Sequence, residues 1–303
     1  MMKQLVLVLG GSIALGAARG AASAQPAPRE IVLEARHAGP TTPLKIFGVA
    51  GSARLVGWDR DSVMVTSRSR PPGFFFIPDP AGVKMGVDQF RFGVLEDRPN
   101  DTVTPYHFVV YLPRQSRIAV RTTSADIVGS DVSGWFSTAS GSIQLSGTAA
   151  GTLDVESING NIDVNVSTSW LRARTGRGRL IVRGAVQDVD ASTVDGELDV
   201  ATSSVMRGRF SSVTGDIRYA GAPAAGSIFD FSNHSGAVDM ALPRDASAAF
   251  DLSSITGVVE SVLGQARPVA GGAHALRLNL GRGDAQLTVR TFKGTIRLRP
   301  SQP

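Results

Sequence analysis

Apolar and polar residues alternate along most of this chain in short runs that break at evenly placed glycines. Between Leu153 and Val200 the sequence reads LDVESINGNIDV, LRARTGRGRLIV and VDASTVDGELDV, each with two such runs hinged at Gly160, Gly178 and Gly196. The same unit recurs around Gly141, Gly215, Gly236, Gly257 and Gly294. Aligned on the glycine, Leu153/Val155, Leu171/Ala173, Val189/Ala191, Gly208/Phe210, Phe229/Phe231, Phe250/Leu252 and Leu287/Val289 stand seven and five positions before it. Two and four positions after it stand Ile143/Leu145, Ile162/Val164, Leu180/Val182, Leu198/Val200, Ile217/Tyr219, Val238/Met240 and Ile296/Leu298. An offset of two on both sides of a turn predicts two strands, each with one buried face. Helical spacing is absent, so an all-β protein is expected.

Three positions before the glycine the chain carries Thr138, Ser157, Thr175, Thr193, Ser212, Asn233, Ser254 and Thr291. A short polar side chain there can satisfy the backbone of a tight corner. The glycine supplies either positive φ or close approach of neighbouring backbones. Glycine spacings of 19, 18, 18, 19, 21 and 21 are coil lengths of a solenoid. The 37-residue interval from Gly257 to Gly294 predicts two coils, the first degraded. A lone coil buries too few side chains to offset the entropy of ordering its backbone, so coils must stack. Parallel crossovers are overwhelmingly right-handed. The expectation is a right-handed parallel β-solenoid (β-helix) of about eight or nine coils over residues 114–299, with a tail at 300–303.

Before the regular repeats, residues 44–113 read as an irregular N-terminal β capping portion whose Gly51 marks a divergent first repeat. Residues 71–86 interrupt it as a proline-containing loop carrying Phe74, Phe75, Phe76 and Ile77. That patch either covers the open solenoid end, whose edges would otherwise be unpaired, or binds a partner. Residues 25–43 are a flexible lead-in and first strand. At the start, Lys3, the apolar run 5–18 and Ala22-Ser23-Ala24 form the pattern of a signal peptide over residues 1–24.

Export is therefore expected, to the periplasm or the extracellular space, with no transmembrane segment after cleavage. With no cysteine in the chain, neither disulfides nor thiolate chemistry is available. Removing Lys3 and Arg19 lowers the formal charge from +5 to +3, since residues 1–24 contain no Asp or Glu. No basic cluster with interleaved aromatics points to nucleic acid. His37, His107, His234 and His274 are scattered, and neither a metal, a cofactor nor a nucleophile motif is evident. Arg282-Gly283-Asp284 spells an adhesive tripeptide but sits in a glycine-rich turn.

Candidate chemistry lies on the outward faces. Six positions before the glycine the column reads Trp135, Asp154, Arg172, Asp190, Arg209, Asp230 and Asp251. Three after it stand Gln144, Asp163, Ile181, Asp199, Arg218, Asp239 and Glu260. Opposite charges on successive rungs favour this register. They also make Trp135, Asp154, Arg172, Asp190 and Arg209 a candidate groove for a glycan, with the tryptophan as a stacking platform. Asp154 and Asp190, two rungs apart, approach the separation of an inverting glycosidase pair. Arg172 between them is expected to depress both carboxyl pKa values, against the separation such a pair needs. A non-enzymatic module is therefore expected, with a glycan or another envelope protein as partner. A polysaccharide hydrolase or lyase is one alternative; an envelope sensing accessory protein acting through residues 71–86 is another.

The segments GVAGSARLVGWDRDSVMVTS and VVYLPRQSRIAVRTTSADI, followed by the T/S-x-x-G-x-I-x-V units, resemble the bacterial putative adhesin domain of unknown function. The resemblance covers about residues 44–298 and departs at Ala125 and Gly176. It implies an exported, non-catalytic β-solenoid.

Overall fold

A computed structural model describes residues 30–48, 50–79, 82–87, 105–263, 267–268 and 274–301. The expected signal peptide lies outside the described residues. Those described form strands and turns, without helix. Strands preceding each corner glycine pair in one ladder and strands following it pair in a second, and both ladders are parallel through the repeats. We call them the pre-glycine and post-glycine sheets. The continuous strands Ile162–Thr175 and Leu180–Thr193 each bend from the second sheet into the first.

The buried columns meet between the sheets. Ile143, Ile162, Leu180, Leu198, Ile217, Val238 and Ile296 pair rung to rung in one file, each fully buried. Phe210, Phe229 and Phe231 stack with centroids 4.9–6.2 Å apart, and Tyr219 packs on all three. Gly208, at a core position, leaves room for these rings: a Cβ there would press on Phe210 and Phe229. Phe231→Ala should therefore cost about 3–5 kcal/mol by the usual aromatic truncation scale, read as a lowered denaturant midpoint.

At the corners, the choice left open for glycine resolves to close approach. None of the eight corner glycines has positive φ. A Cβ on Gly160, Gly178, Gly196, Gly215 or Gly236 would run into the carbonyl oxygen of the glycine one coil before it. The polar residue three positions earlier acts as a clip. Its side chain accepts from the glycine N–H at 2.8–3.2 Å in every coil but that of Ser212, whose hydroxyl has no partner. Ser157, Thr175 and Asn233 also donate to the previous coil's glycine carbonyl. The departures from the family pattern fit the same stack. Gly141 lies against the Ala125 carbonyl, and a Cβ on Gly176 would strike the Ile158 carbonyl.

The N-terminal portion joins this stack. Leu44–Gly48 and Gly51–Trp58 pair in parallel with Arg117–Thr122 and Asp126–Ser130, so Gly51 heads a true coil. Residues 71–86, expected as a loop, instead contain strand Phe74–Asp79, antiparallel to Gly82–Val87. Strand alternation divides the expected apolar patch. Phe74 and Phe76 pack on the core while Ile77 is 52 % exposed. Phe74 lies 5.7 Å from the Phe108 ring and under the Arg70 guanidinium. Among the described residues this antiparallel pair ends the pre-glycine sheet, and Ile31–His37, antiparallel to Ser62–Ser67, ends the other.

The distal end departs from chain order. The Gly294 coil, Ala285–Thr291 with Ile296–Pro300, pairs directly onto the Gly236 coil. The Gly257 coil, Ala248–Ser254 with Val259–Ser261, lies outside it. Ala275–Leu280 then runs antiparallel along Ala248–Ser254. The 37-residue interval thus holds an antiparallel strand, itself paired on its far side with Arg267–Pro268, and a return to an inserted rung, not a degraded coil. Charge supplies the reason. In-order stacking would set Asp230 against Asp251 and Asp239 against Glu260, like charges directly opposite. Insertion puts Thr288 between the first pair and Arg297 between the second. Arg297 bonds Glu260 at 3.1 Å and Arg299 bonds Asp239 at 2.8 Å.

Candidate functional site

The outward face of the pre-glycine sheet gathers the residues singled out by the sequence. Trp135, Asp154, Arg172, Asp190, Arg209 and Asp230 follow one another on neighbouring rungs. Thr288 separates Asp230 from Asp251, so that column is not continuous. Period-two geometry places Glu156 and Arg174 beside this file, and Trp170, Asp188 and Arg207 on its other side. Two open grooves of about 660 Å³ and about 400 Å³ flank the file. The larger contains Arg121, Glu156 and Arg174. The smaller contains Trp170, Asp190, Arg207, Arg209 and Asp230.

Trp170 was missed from the sequence because the corner alignment stopped seven residues before each glycine, one short of it. The strand Ile162–Thr175 runs without a break through the bend between sheets, which brings the indole to the groove edge. Trp135 is half-buried and lines neither groove.

The two sheets differ in how their charges are mated. On the post-glycine face Arg179 bonds Asp199 (2.8 Å from Nε), Arg218 reaches Glu197 at 3.0 Å, and the Arg297 and Arg299 pairs are equally close. On the pre-glycine face Arg172–Asp154 and Arg174–Asp190 are 3.7 Å apart and Arg290–Asp230 is 4.0 Å. Among the described residues the close pairs on this face are Arg207–Asp188 at 2.7 Å, in the smaller groove, and Arg277–Asp251 at 3.2 Å near the distal end. Asp154 Oδ1, Arg172 Nε and Arg174 Nε are buried with no hydrogen-bond partner. Arg121 and Arg209 have no partner among the described residues. Spare hydrogen-bonding capacity is thus concentrated at the centre of the pre-glycine face, while on the other face Arg54 is without a partner among the described residues and Arg183 meets Asp163 only at 3.4 Å.

Asp154 corrects one expectation. Burial pushes its carboxyl above the ordinary value, helped by Glu156, and outweighs the opposing pull of Arg172 and Arg174. At 3.7 Å the Arg172 pair is too long for a charge-assisted hydrogen bond. A carboxyl raised in the fold binds more protons folded than unfolded between the two pKa values, so stability falls as pH rises through that window. Asp154→Asn should therefore raise the melting temperature at pH 7, and the gain should vanish as pH falls toward 3.8. Asp131 behaves oppositely. The Thr148 N–H and then Arg114 hold its carboxyl low, so its contribution is lost on acidification.

Other candidates are placed as structural parts. Among the described residues no group of three or more His, Asp or Glu could hold a metal, and no helix is long and apolar enough to cross a membrane. His234 stacks on Phe292, and His107 bonds Ser52 on an exposed surface. Arg282 and Asp284 of the tripeptide turn close on each other at 3.1 Å instead of pointing apart.

No curated protein matches the chain. Solved structures similar to it include a putative adhesin from Bacteroides fragilis, 11 % identical, covering 90 % of this chain and 99 % of that one, with a TM-score of 0.45. A putative adhesin from Parabacteroides distasonis is 12 % identical, with coverages of 90 % and 98 % and a TM-score of 0.32. A putative cell adhesion protein from Clostridium sporogenes is 10 % identical, with coverages of 89 % and 98 % and a TM-score of 0.25. The Toastrack DUF4097 pattern matches residues 106–299, and with the repeats and corner glycines of that segment now in place, the chain belongs to the Toastrack DUF4097 family.

Proposed function

We propose that this protein is an exported, non-enzymatic adhesin-like module of the bacterial cell envelope that binds a glycan on its pre-glycine face. One observation carries the proposal. At the centre of that face Arg172 and Arg174 are loosely paired and Arg121 and Arg209 have no partner among the described residues, whereas Arg179, Arg218, Arg297 and Arg299 of the opposite face each hold a carboxylate closely. Exposed ion pairs contribute little to stability, so arginines without close carboxylates can turn to a ligand at small cost. The grooves beside Trp170 and Arg174 give a sugar polymer rings to stack on and donors for its oxygens. The coils wind right-handed on this account, and the signal peptide is removed on export.

The test is binding of soluble envelope polysaccharide to the purified chain, compared with Trp170→Ala. Loss of binding at unchanged melting temperature supports the assignment; equal binding by the variant removes it.

A second reading has one observation in its favour. Asp154 has the raised carboxyl that a general acid requires, and Asp190 lies two rungs away. Polysaccharide cleavage that is abolished in Asp154→Asn and Asp190→Asn would establish it over the non-enzymatic one.

A further inference from the structure

Resting on the glycan-binding face just described, we infer that its ligand is a carboxylate-bearing polysaccharide, a polyuronate, laid along the solenoid axis. Four arginines on this face hold unused donors. Arg121 and Arg209 are unpartnered among the described residues, and the Nη groups of Arg172 and Arg174 lie 3.7 Å from their carboxylates, beyond hydrogen-bond distance. Arg121 and Arg209 can take a carboxylate through paired N–H groups, and Arg172 and Arg174, part-exposed and held only by 3.7 Å pairs, can reach one through their Nη groups. They are spread along the axis, as a polymer requires. Arg172 and Arg209 stand two rungs apart, and Arg121 and Arg174 three rungs apart, roughly 10 and 14 Å at the usual rung spacing. One compact anion cannot span those distances.

The acidic residues of the face sharpen the choice. Glu156 shares the larger groove with Arg121 and Arg174, and Asp190 and Asp230 share the smaller with Arg209. Such carboxylates accept from sugar hydroxyls, which a uronate offers on every ring and a bare polyphosphate lacks. They also repel a chain with a charge on every phosphate more strongly than one that spaces its charges by whole rings. The indole of Trp170 at the edge of the smaller groove supplies the apolar surface against which a sugar ring stacks.

The test measures binding of sodium polygalacturonate, its neutral methyl ester, inorganic polyphosphate and dextran to the full chain, at low and high salt. Polygalacturonate should bind best and weaken with added salt. Arg174→Gln or Arg209→Gln should lower its affinity about tenfold, the scale of one charge-assisted contact. Arg183→Gln, on the post-glycine face, should leave affinity unchanged and controls for general loss of charge. Equal binding of the methyl ester, equal loss in Arg183→Gln, or preference for polyphosphate would each overturn the inference. Dextran binding without polygalacturonate binding would refute it while leaving the glycan-binding face standing. Binding of none of the four would also overturn the inference, and the envelope-polysaccharide assay would then decide whether the glycan-binding face stands.

Discussion

Gly196→Val is expected to abolish stable folding, a loss beyond about 4 kcal/mol, the range reserved for large structural faults. A Cβ at this position would fall on the carbonyl oxygen and carbon of Gly178, backbone atoms that cannot rotate away as a side chain would. Gly178 cannot retreat either, because it lies against Gly160, and Gly160 against Gly141. The coils would have to separate at the corner, stretching the Gly196 N–H bond to Thr193 and opening the Leu180–Leu198 pair of the core file. Since total stability of a folded protein is only about 5–15 kcal/mol, one such opening is a large share of it. Gly39→Ala is the control: a Cβ there meets only the Thr42 hydroxyl at 3.6 Å, an ordinary contact. Thermal melts followed by circular dichroism should separate the two. Comparable effects would mean that the corner glycines are not packed as described.

Deleting residues 285–303 should unravel the distal coils as well as remove the terminal one. In a solenoid stacked in chain order, removing the last coil exposes one rung and leaves the rest in place. Here the last coil is interior, so deletion strips a partner from both the Gly236 and Gly257 coils. Direct closure of the gap would bring Asp230 onto Asp251 and Asp239 onto Glu260. Rapid amide exchange across residues 228–261 is the expected result. Cysteine pairs give the complementary test, because the chain has no cysteine of its own. Ser232 and Arg290 are direct neighbours, whereas Ser232 and Ser253 are two rungs apart, roughly 10 Å. A disulfide needs Cα atoms about 4.4–6.8 Å apart, so the 232/290 pair should oxidise within the chain and the 232/253 pair should not. The reverse pattern would restore chain order.

Much of the fold was legible because the repeat states each physical requirement several times. Period-two columns flanking each glycine gave the two sheets. The clip position was readable from Thr138 through Thr291, since only short polar side chains occur there. What escaped was whatever the repeat does not encode. The rung order of the last coils depends on which charges oppose one another, and the sequence held that signal: Asp230 and Asp251, then Asp239 and Glu260, are like-charged neighbours in a column of otherwise mixed charge. The antiparallel pair within residues 74–87 was hidden by Pro78. An edge strand tolerates a proline there because its outer N–H needs no partner. For the candidate site, the file from Trp135 to Arg209 was visible as a column. The looseness of its ion pairs was not, because it depends on side-chain reach across rungs. The raised Asp154 carboxyl had the same origin, since burial beside Arg172 cannot be read from a column of letters.

Arginine protection mapping asks directly which face meets a ligand. The full chain would be treated with an arginine-specific reagent, with and without soluble envelope polysaccharide, and each site quantified by mass spectrometry. Arg172, Arg174 and Arg209 should be shielded when the polysaccharide is present, while Arg179, Arg183 and Arg218 react as before. Shielding confined to the second set, or equal on both, would contradict the assignment of the pre-glycine face.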